Sequence, residues 1–510
     1  MALKASCLVG CMSNFTIVLA AKKLYYADLF VAILIFSGDK IMSNVLPAKG
    51  KKFDFSVPIL VIGAGACGCT AALAAHENGA EVMILERSQT PHGNTSLSGG
   101  QIPAGGTKLQ SLAGIKDTAD ILYKDILAKA ENKCDKNLVR HVANESAKTV
   151  DWLVDRWQLP LSCISDFVYP GHTVPHMHAS PSRFGAELLN VLLQAVTGEG
   201  IQIITSATVT DLYADQDDKI RGIRMARPDG KIEDFGCEAL ILACNGYGGN
   251  KELLKKYIPE IADAHYHGHD GNQGEAIIWG ESLEASIKDM GAFQGHGAVI
   301  TPHNIHIGWP VITEGGIQVN KSGLRFSNEN HGYSEQALNV VQQPDHVAWT
   351  IWDQRCQDIA VQMHSHQEAM KAGAIKKYNN VTDVARYIGC ESKKLQDTLS
   401  QVFEICEGNL VDAFGRDFNG KPPLKSPFFV AKIQGALFHT QGGLEVDCSA
   451  RVMRTNGELF PNLFAGGGAA RGFSGPADWG YLSGSGLLSA TNLGRFAGEA
   501  AANLVLNKDG

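Results

Sequence analysis

The stretch VPILVIGAGACGCTAALAAHENGAEVMILER, residues 57–87, decides the fold. Its apolar run at residues 59–62 predicts a buried parallel strand, and CGCTAALAAHENG predicts a helix that ends at Gly79. EVMILE then predicts a second strand. Strand, glycine-rich turn, helix and strand form one βαβ unit, so we predict an α/β fold built on a parallel sheet.

The turn of this unit carries glycines at the spacing of a dinucleotide fingerprint. GAGACG places Gly63, Gly65 and Gly68 between the strand and the helix. The first glycine permits the tight turn, the second admits a pyrophosphate at the helix N-terminus, and the third lets helix and strand approach. Glu86 ends the second strand, where it would accept hydrogen bonds from ribose hydroxyls. We therefore predict a Rossmann-like domain, a unit that NAD and FAD share.

Composition excludes some classes of protein. The chain has 510 residues, 45% of them hydrophobic, which is enough for a large core and two domains. The formal net charge of -8 offers no basic surface for nucleic acid, so we predict no such partner. The 12 cysteines form no C-x-x-C pair, which favours a reducing compartment and a cytoplasmic protein.

Two histidine-rich segments carry the H-x-H spacing of a chelator. They are GHTVPHMH at residues 171–178 and HYHGHD at residues 265–270. No cysteine or carboxylate set completes a tetrahedral site in either segment, so we predict no bound metal.

The chain divides into four segments by its pattern. Residues 1–53 contain two apolar runs that are too short for a span of about 20 residues. They predict a leader, a membrane-surface anchor or sequence upstream of a start at Met42, which leaves membrane contact open. Residues 54–295 and 425–510 carry the strand and glycine pattern of one nucleotide-binding domain, and residues 296–424 change to mixed helix and loop. We read the middle segment as an inserted cap domain.

Five further motifs narrow the class of dinucleotide. They are HGNTSLSGGQIPAGGT (92–107), ACNGYGGN (243–250), GGIQVNKSGLRFSNE (315–329), FHTQGGLEVD (438–447) and NLFAGGGAARG (462–472). Together with the fingerprint they resemble the FAD-dependent fumarate reductase and succinate dehydrogenase flavoprotein superfamily over most of residues 57–500. The resemblance implies FAD as cofactor and a Rossmann-like FAD-binding domain with an inserted α+β cap domain.

The resemblance also implies which residues hold the cofactor. In that family, the helix that starts near Gly486 points its N-terminus at the flavin pyrimidine carbonyl, where negative charge accumulates on reduction. The implied FAD-binding residues are Gly63, Gly65, Ala66, Gly68, Glu86, Arg87, Asn94, Thr95, Ser98, Gly99, Gly100, Val209, Ala243, Gly246, Gly467, Gly486 and Leu487.

Two positions separate the branches of this family. Fumarate reductases place an arginine proton donor shortly after RF-x-NE and an arginine clamp just before the C-terminal helix. Here RFSNENHGYSEQ (325–336) has Tyr333 at the first position, and ADWGYLSGSG (477–486) has Tyr481 near the second. Losing a charged partner for a carboxylate costs several kcal/mol of binding. GYLSG instead resembles the 3-ketosteroid dehydrogenases of the delta-4-(5-alpha) or delta-1 type.

The two branches imply different parts of the site. Tyr333, Tyr481 and Ser483 match the ketosteroid branch, whereas Thr313, Glu314, His439 and Thr440 match residues that bind dicarboxylate in the fumarate reductase branch. The implied catalytic residues are Tyr333, Tyr481, Ser483 and His439. The implied substrate-binding residues are Thr313, Glu314, Thr440 and Gly484. His172, His176 and His178 precede a helix that, by the same resemblance, lies beside the substrate mouth.

The expected reaction follows from a ketone and a flavin. We expect desaturation of the α,β bond of a ketone such as a 3-ketosteroid, or the reverse reduction of an enone. The Tyr481 hydroxyl and a backbone N–H at Gly484 or Ser485 would polarise the carbonyl, and Tyr333 or Ser483 would move the proton. A tyrosine base needs a lowered pKa.

Two alternatives stay open. Reduction of an unsaturated carboxylate would require an arginine from elsewhere, such as Arg183 or Arg471. A flavin-binding protein without activity would require a blocked pocket. The sequence does not identify an electron partner.

Overall fold

The structure is a computed structural model that describes residues 44–507. The predictions of a leader and of membrane contact through the apolar N-terminus lie outside these residues. Within residues 44–507, no helix has the length and apolar character needed to cross a bilayer.

Strands and helices alternate along the described chain. The strands are β1 (Asn44–Pro47), β2 (Phe55–Ile62), β3 (Val82–Leu85), β4 (Ile102–Pro103), β5 (Ser162–Cys163), β6 (Met177–Ala179), β7 (Gln202–Ile204), β8 (Thr208–Ala214), β9 (Ile220–Ala226), β10 (Ile232–Leu242), β11 (His265–Tyr266), β12 (Ile287–Lys288), β13 (Phe293–Ile300), β14 (Ile305–His306), β15 (Ile317–Val319), β16 (Val347–Asp353), β17 (Lys376–Tyr378), β18 (Phe428–Thr440), β19 (Gly443–Leu444), β20 (Arg451–Met453) and β21 (Leu459–Ala465). The α-helices are α1 (Ala66–Glu77), α2 (Gly93–Leu97), α3 (Lys108–Leu112), α4 (Ala119–Lys129), α5 (Lys136–Asp155), α6 (Gly185–Gly198), α7 (Lys251–Tyr257), α8 (Glu275–Ser282), α9 (Pro310–Thr313), α10 (Tyr333–Val341), α11 (Gln354–Ala360), α12 (His364–Lys371), α13 (Val381–Ile388), α14 (Ser392–Cys406) and α15 (Ser485–Leu506). Short 3-10 turns cover Pro259–Ile261, Pro344–His346, Gly467–Ala469 and Asp478–Gly480.

The first sheet has nine strands and carries the predicted βαβ unit. Its order is β1-β8-β9-β10-β2-β3-β7, with β21 beside β10 and β20 beside β21. Strands β10, β2, β3 and β7 pair in parallel. Ile59, Leu60 and Val61 of β2 are fully buried, and each buried aliphatic side chain contributes about 1.5–3 kcal/mol. The predicted α/β, Rossmann-like class is confirmed.

Helix α15 packs on α1 over small residues. A Cβ at Gly494 would lie 2.5 Å from the carbonyl oxygen of Cys67, and one at Gly498 would overlap the carbonyl of Ala71. The backbones of the two helices therefore lie in direct contact. Since α1 follows the glycine turn, this contact fixes the start of α15 relative to the turn.

The second sheet has seven strands and its own apolar core. Its order is β14-β13-β18-β16-β15, with β11 and β17 on β18. The pairs β13–β18, β16–β18 and β15–β16 are antiparallel, and helices α11 to α14 lie in the same part of the chain. This matches the α+β character expected for the cap.

The sheets take in residues on both sides of the predicted domain limits. β1 precedes residue 54 and pairs with β8 of the first sheet. β13 begins at Phe293, and β18 covers Phe428–Thr440, so the second sheet draws on chain outside residues 296–424. The limits at residues 54, 296 and 425 stay a prediction.

Candidate active site

One large cavity connects the glycine turn of the first sheet with the second sheet. Its volume is about 540 Å³, within the range of about 300–1,000 Å³ typical of ligand and cofactor sites. Gly63, Glu86 and Val209 line one end, and His296 and Tyr333 line the other.

The glycine turn forms the floor of the first end. Gly63 has φ +108, and a Cβ at Gly68 would overlap the carbonyl of Gly63, so neither position admits a side chain. A Cβ at Gly65 would meet only the Thr95 Oγ1, at 3.3 Å, and would otherwise fill open cavity. The Glu86 carboxylate accepts the N–H of Ala64 at 3.0 Å, which holds it at the end of β3. This end fits a pyrophosphate over Gly65 and a ribose beside Glu86.

The N-terminus of α15 borders the middle of the cavity. Gly484 is its N-cap with φ +82, and no side chain among residues 44–507 caps the helix. Gly486, Leu487 and Ser489 line the cavity, and the Ser489 Oγ is buried without a hydrogen-bond partner in the described chain. Uncapped N–H groups and an unpaired hydroxyl fit the oxygen-rich edge of a flavin. The residues present therefore fit FAD.

Most of the residues predicted to bind FAD line this cavity. They are Gly63, Gly65, Ala66, Glu86, Arg87, Asn94, Thr95, Ser98, Gly99, Val209, Ala243, Gly467, Gly486 and Leu487. The predicted residues outside the lining are Gly68, Gly100 and Gly246. A Cβ at Gly68 or Gly100 would press on the backbone of Gly63 or Gly185, and one at Gly246 would press on the Thr440 hydroxyl. Their small size serves packing behind the cavity.

The predicted catalytic side chains converge at the other end. The Tyr333 hydroxyl donates to the Ser483 Oγ at 2.9 Å. The Tyr481 ring lies 6.2 Å from that of Tyr333 and 5.5 Å from that of His439, centroid to centroid. All four line the cavity, together with the predicted substrate-binding Gly484. Tyr333 begins α10 on the cap side of the cavity, and Ser483 lies just before α15. The hydrogen bond between them therefore joins these two sides of the cavity.

Both phenols are held in the neutral form. Burial raises the pKa of Tyr333 well above its usual range, and it also raises the pKa of Tyr481. The N–H groups of Gly486 and Gly484 oppose the rise at Tyr481. The expectation of a lowered tyrosine pKa is therefore wrong. The N–H of Ser485 is not free for a ligand either, since it donates to the carbonyl of Leu482 at 3.1 Å.

His439 is a neutral hydrogen-bond donor. Burial lowers its pKa to about 4. The Gln441 Oε1 accepts from the Ser474 hydroxyl at 3.3 Å, which directs its Nε2 to the His439 Nδ1 at 2.9 Å. Nδ1 is then the acceptor, and the Nε2–H of His439 is available to a ligand.

The sequence did not single out the rings that wall this end. His296 stacks between Tyr333, at 5.5 Å and 24°, and Phe438, at 5.1 Å and 13°. Trp309 and His306 close the same wall. Burial lowers the pKa of His296 well below its usual range, so it carries no charge. The strand FQGHGAVI offered one indication of this wall, because its glutamine and histidine are two positions apart and alternate residues of a strand share a face.

Cationic side chains are scarce around the cavity. Of the arginines and lysines in residues 44–507, Arg87 and Arg183 line it. Arg87 pairs with Glu275, and Arg183 pairs with Asp166 at 3.0 Å. Arg471, the other arginine considered for a carboxylate, is not in the lining. It pairs with Asp289 at 2.6 Å, Asp135 at 3.1 Å and Glu445 at 3.8 Å.

Three predicted substrate-binding residues lie outside the lining of the cavity. The Glu314 carboxylate pairs with Lys421 at 3.1 Å in the cap. Thr313 donates to the carbonyl of Pro310 at 3.4 Å, and the buried Thr440 hydroxyl accepts the N–H of Tyr247 at 3.2 Å. Local partners thus occupy these side chains.

The histidines of GHTVPHMH were expected beside the substrate mouth, but they are not in the lining of the cavity. His172 and His176 lie behind Ser483, and the Nε2 of His172 is 3.0 Å from the Ser483 carbonyl oxygen. His178 is buried against the Thr107 hydroxyl at 2.8 Å.

The family model described as FAD binding domain matches residues 58–486. A probable fumarate reductase of Shewanella frigidimarina is 27% identical over 475 residues, which are 92% of this chain and 78% of that protein.

Solved structures show the same fold. The open conformation of a flavocytochrome c3 fumarate reductase superposes with a TM-score of 0.77 at 27% identity, covering 90% of this chain and 80% of that one. The 3-ketosteroid-delta4-(5alpha)-dehydrogenase of Rhodococcus jostii in complex with 4-androstene-3,17-dione has a TM-score of 0.70 at 21% identity, covering 90% and 100%. The predicted FAD cofactor is thereby confirmed. The chain belongs to the FAD binding domain family, in the flavoprotein superfamily of fumarate reductases and succinate dehydrogenases, and it is an FAD-dependent oxidoreductase.

Proposed function

We propose that this enzyme reduces a carbon–carbon double bond conjugated to a ketone, an enone such as a 3-keto-4-ene steroid. The observation that carries the proposal is the hydrogen bond from Tyr333 to Ser483 beside Tyr481, where the neighbouring imidazoles of His296 and His439 carry no charge. Neutral phenols donate hydrogen bonds and protons to a carbonyl oxygen, and an uncharged oxygen avoids the cost of burying a carboxylate without a paired cation. The reverse desaturation runs through the same groups.

Each side chain has a role in the reduction. Reduced FAD, when bound, would supply the hydride for the β carbon of the enone. The Tyr481 hydroxyl and the His439 Nε2–H donate to the ketone oxygen and stabilise the charge that develops on it. The Ser483 hydroxyl gives its proton to the α carbon, and Tyr333, which already donates to the Ser483 Oγ, replaces that proton. The double bond thus gains one hydride and one proton.

The direction follows from the state of the phenols. Since the pKa values of Tyr333 and Tyr481 are raised, both groups hold their protons at neutral pH. A group that holds its proton is ready to act as an acid, whereas desaturation would first need a base. The reductive step therefore starts from the protonation state in which both phenols rest.

The shape of the wall supports an apolar ring substrate. His296, Trp309 and Phe438 present ring faces beside Tyr333, and Met363 continues the lining. Flat apolar molecules gain both area burial and ring stacking on such a surface. The Rhodococcus neighbour supports only the fold at its level of identity, so this substrate class rests on the residues.

A second candidate is reduction of an unsaturated carboxylate. The name of the Shewanella relative favours it. Arg183 is the arginine that would serve it, because it lines the cavity and its ion pair with Asp166 is partly exposed.

Reoxidation of the reduced flavin separates these candidates. The holoprotein is reduced with dithionite under anaerobic conditions and mixed with 4-androstene-3,17-dione, cyclohexenone, fumarate or acrylate. We expect the oxidised flavin absorbance to return with the enones only. Return with fumarate or acrylate alone would assign the carboxylate reaction, and no return with any compound would refute catalysis on these classes.

A further inference from the structure

A buried cluster behind the active site joins two histidines and two aspartates from distant segments. The side chains of Asp125 in α4 and of His172 and His176 in the loop before β6 each offer a ligand atom, and these atoms lie within 4.8 Å of one another. All three residues are at least nine-tenths buried. The fourth member, Asp117, precedes α4. The carboxylates that GHTVPHMH lacks are therefore supplied by a segment some 50 residues earlier in the chain.

Each histidine is oriented by a partner on one ring nitrogen. The Nδ1 of His176 is 2.6 Å from the Asp117 carboxylate, while its Nε2 is 2.9 Å from that of Asp125. The Nε2 of His172 contacts the Ser483 carbonyl at 3.0 Å, and its Nδ1 has no hydrogen-bond partner among residues 44–507. In metal sites, the second nitrogen of a ligating histidine is held in this way by a carboxylate or a backbone carbonyl.

The charges and hydrogen bonds of the cluster also favour a bound cation. The Thr173 N–H donates to the Asp125 Oδ2 at 2.7 Å, and the Gln110 Nε2 donates to the Asp117 Oδ2 at 2.5 Å, which are contacts that suit ionised carboxylates. Two buried carboxylates place negative charge away from water, which is costly without a cation beside them. A divalent cation with two neutral imidazoles makes the cluster neutral.

We propose that the Nδ1 of His172, the Nε2 of His176 and the carboxylate of Asp125 bind one divalent transition-metal ion, with Asp117 as the outer partner of His176. Two imidazoles and one carboxylate suit Zn²⁺, and a water or the Thr173 hydroxyl completes four ligands. Ligands of a tetrahedral zinc lie about 3.4 Å apart, so the His176 and Asp125 atoms separate by about half an ångström on binding. The ion lies behind Ser483, and this site goes beyond the proposed flavin chemistry.

Metal analysis of the FAD-loaded protein tests the site. The protein is treated with a chelator, incubated with Zn²⁺ and desalted, and its zinc content is measured by mass spectrometry. We expect stoichiometric zinc in the wild type and in His303→Ala, an exposed-histidine control, and loss of zinc in His172→Ala and Asp125→Asn. Asp117→Asn removes only an outer partner, so we expect it to weaken zinc binding about 10–100-fold.

A second measurement needs no variant. Co²⁺ added to the chelator-treated wild type should give the intense visible bands of a four-coordinate site, and Zn²⁺ should abolish them and raise the melting temperature. Absence of these bands, or equal zinc in the wild type and His172→Ala, overturns the proposal. In that case a proton on His176, and no metal, bridges the two carboxylates.

Discussion

The hydrogen bond between Tyr333 and Ser483 yields the most specific prediction about catalysis. In Tyr333→Phe, the ring and its stacking on His296 remain, but the hydroxyl that donates to the Ser483 Oγ at 2.9 Å is lost. A positioned acid contributes about 10²–10⁴-fold to rate, which corresponds to about 3–5 kcal/mol of transition-state stabilisation. Loss of one hydrogen bond costs only about 1 kcal/mol of folding stability. We therefore expect kcat/KM to fall about 10²–10⁴-fold in a folded, FAD-containing protein.

The partner variant makes the prediction quantitative. Ser483→Ala removes the group that passes the proton, so it should lose a similar factor. If the two hydroxyls act as one relay, the double variant should be no slower than the slower single variant by more than about threefold. Tyr257→Phe is the matched control, because its hydroxyl donates to Glu281 at 2.9 Å and does not line the cavity.

The assay is anaerobic reduction of an enone by the holoprotein with a reduced dye as electron donor. Melting temperature and flavin content are measured on every variant. A double variant whose loss equals the product of the two single losses would show that the hydroxyls act independently. A Tyr333→Phe protein with wild-type kcat/KM would remove Tyr333 from the reaction.

Three further predictions concern the carbonyl, the cofactor and stability. Tyr481→Phe removes a donor to the ketone oxygen, and we expect kcat to fall about 10²–10³-fold with flavin content unchanged, as measured by steady-state kinetics and absorbance. Gly65→Ala puts a methyl group into the open floor and should reduce FAD retained after gel filtration at least tenfold, whereas Gly198→Ala, with open space around it, should not. Burial raises the pKa of Asp478 from 3.8 to about 6, so its contribution to stability is full below about pH 4 and is lost as the pH rises through 6. The free energy of unfolding of Asp478→Asn should therefore exceed that of the wild type by up to about 3 kcal/mol above pH 7 and should equal it at pH 4, as measured by urea unfolding. An equal gain at both pH values would contradict burial as the cause.

The βαβ unit was predictable because its signals are local. An apolar run followed by glycines predicted β2 and the turn, and the observed α1 (Ala66–Glu77) ends two residues before Gly79. The second sheet was less predictable. β13 and β18 begin 135 positions apart, at Phe293 and Phe428, and yet they pair as neighbours. No period in the sequence encodes a pairing at that distance.

Motif resemblance indicated the candidate active-site residues, but it did not indicate their electrostatics. Tyr333 and Ser483 are 150 positions apart, and only the motifs around them indicated that they meet. The direction of the tyrosine pKa shift at Tyr333 depends on burial and on the neighbouring Tyr481 and Glu335, which are brought together only in the folded chain. The same limit explains His296 and the Asp125 cluster, whose partners come from other segments.

The charge of the substrate is decided by what an anion would meet at this end of the cavity. Burying a carboxylate without a paired cation costs several kcal/mol. The helix dipole at the N-terminus of α15 would stabilise a nearby anion by about 0.3–1 kcal/mol, and by at most about 2, which does not offset that cost. Phenol and imidazole donors add about 1 kcal/mol per hydrogen bond to a ketone and about 1.5–3 kcal/mol to a carboxylate, which offsets only part of the cost of burying the charge. A deficit of about 2–3 kcal/mol corresponds to a preference of about 30–150-fold for the neutral carbonyl over an anion of the same shape. The variant Arg183→Ala distinguishes the two substrate classes. If ketones are the substrates, kcat/KM for an enone should stay within about threefold of the wild type. If carboxylates are the substrates, kcat/KM for a carboxylate should fall at least about 100-fold, because loss of a charge partner costs about 3–5 kcal/mol.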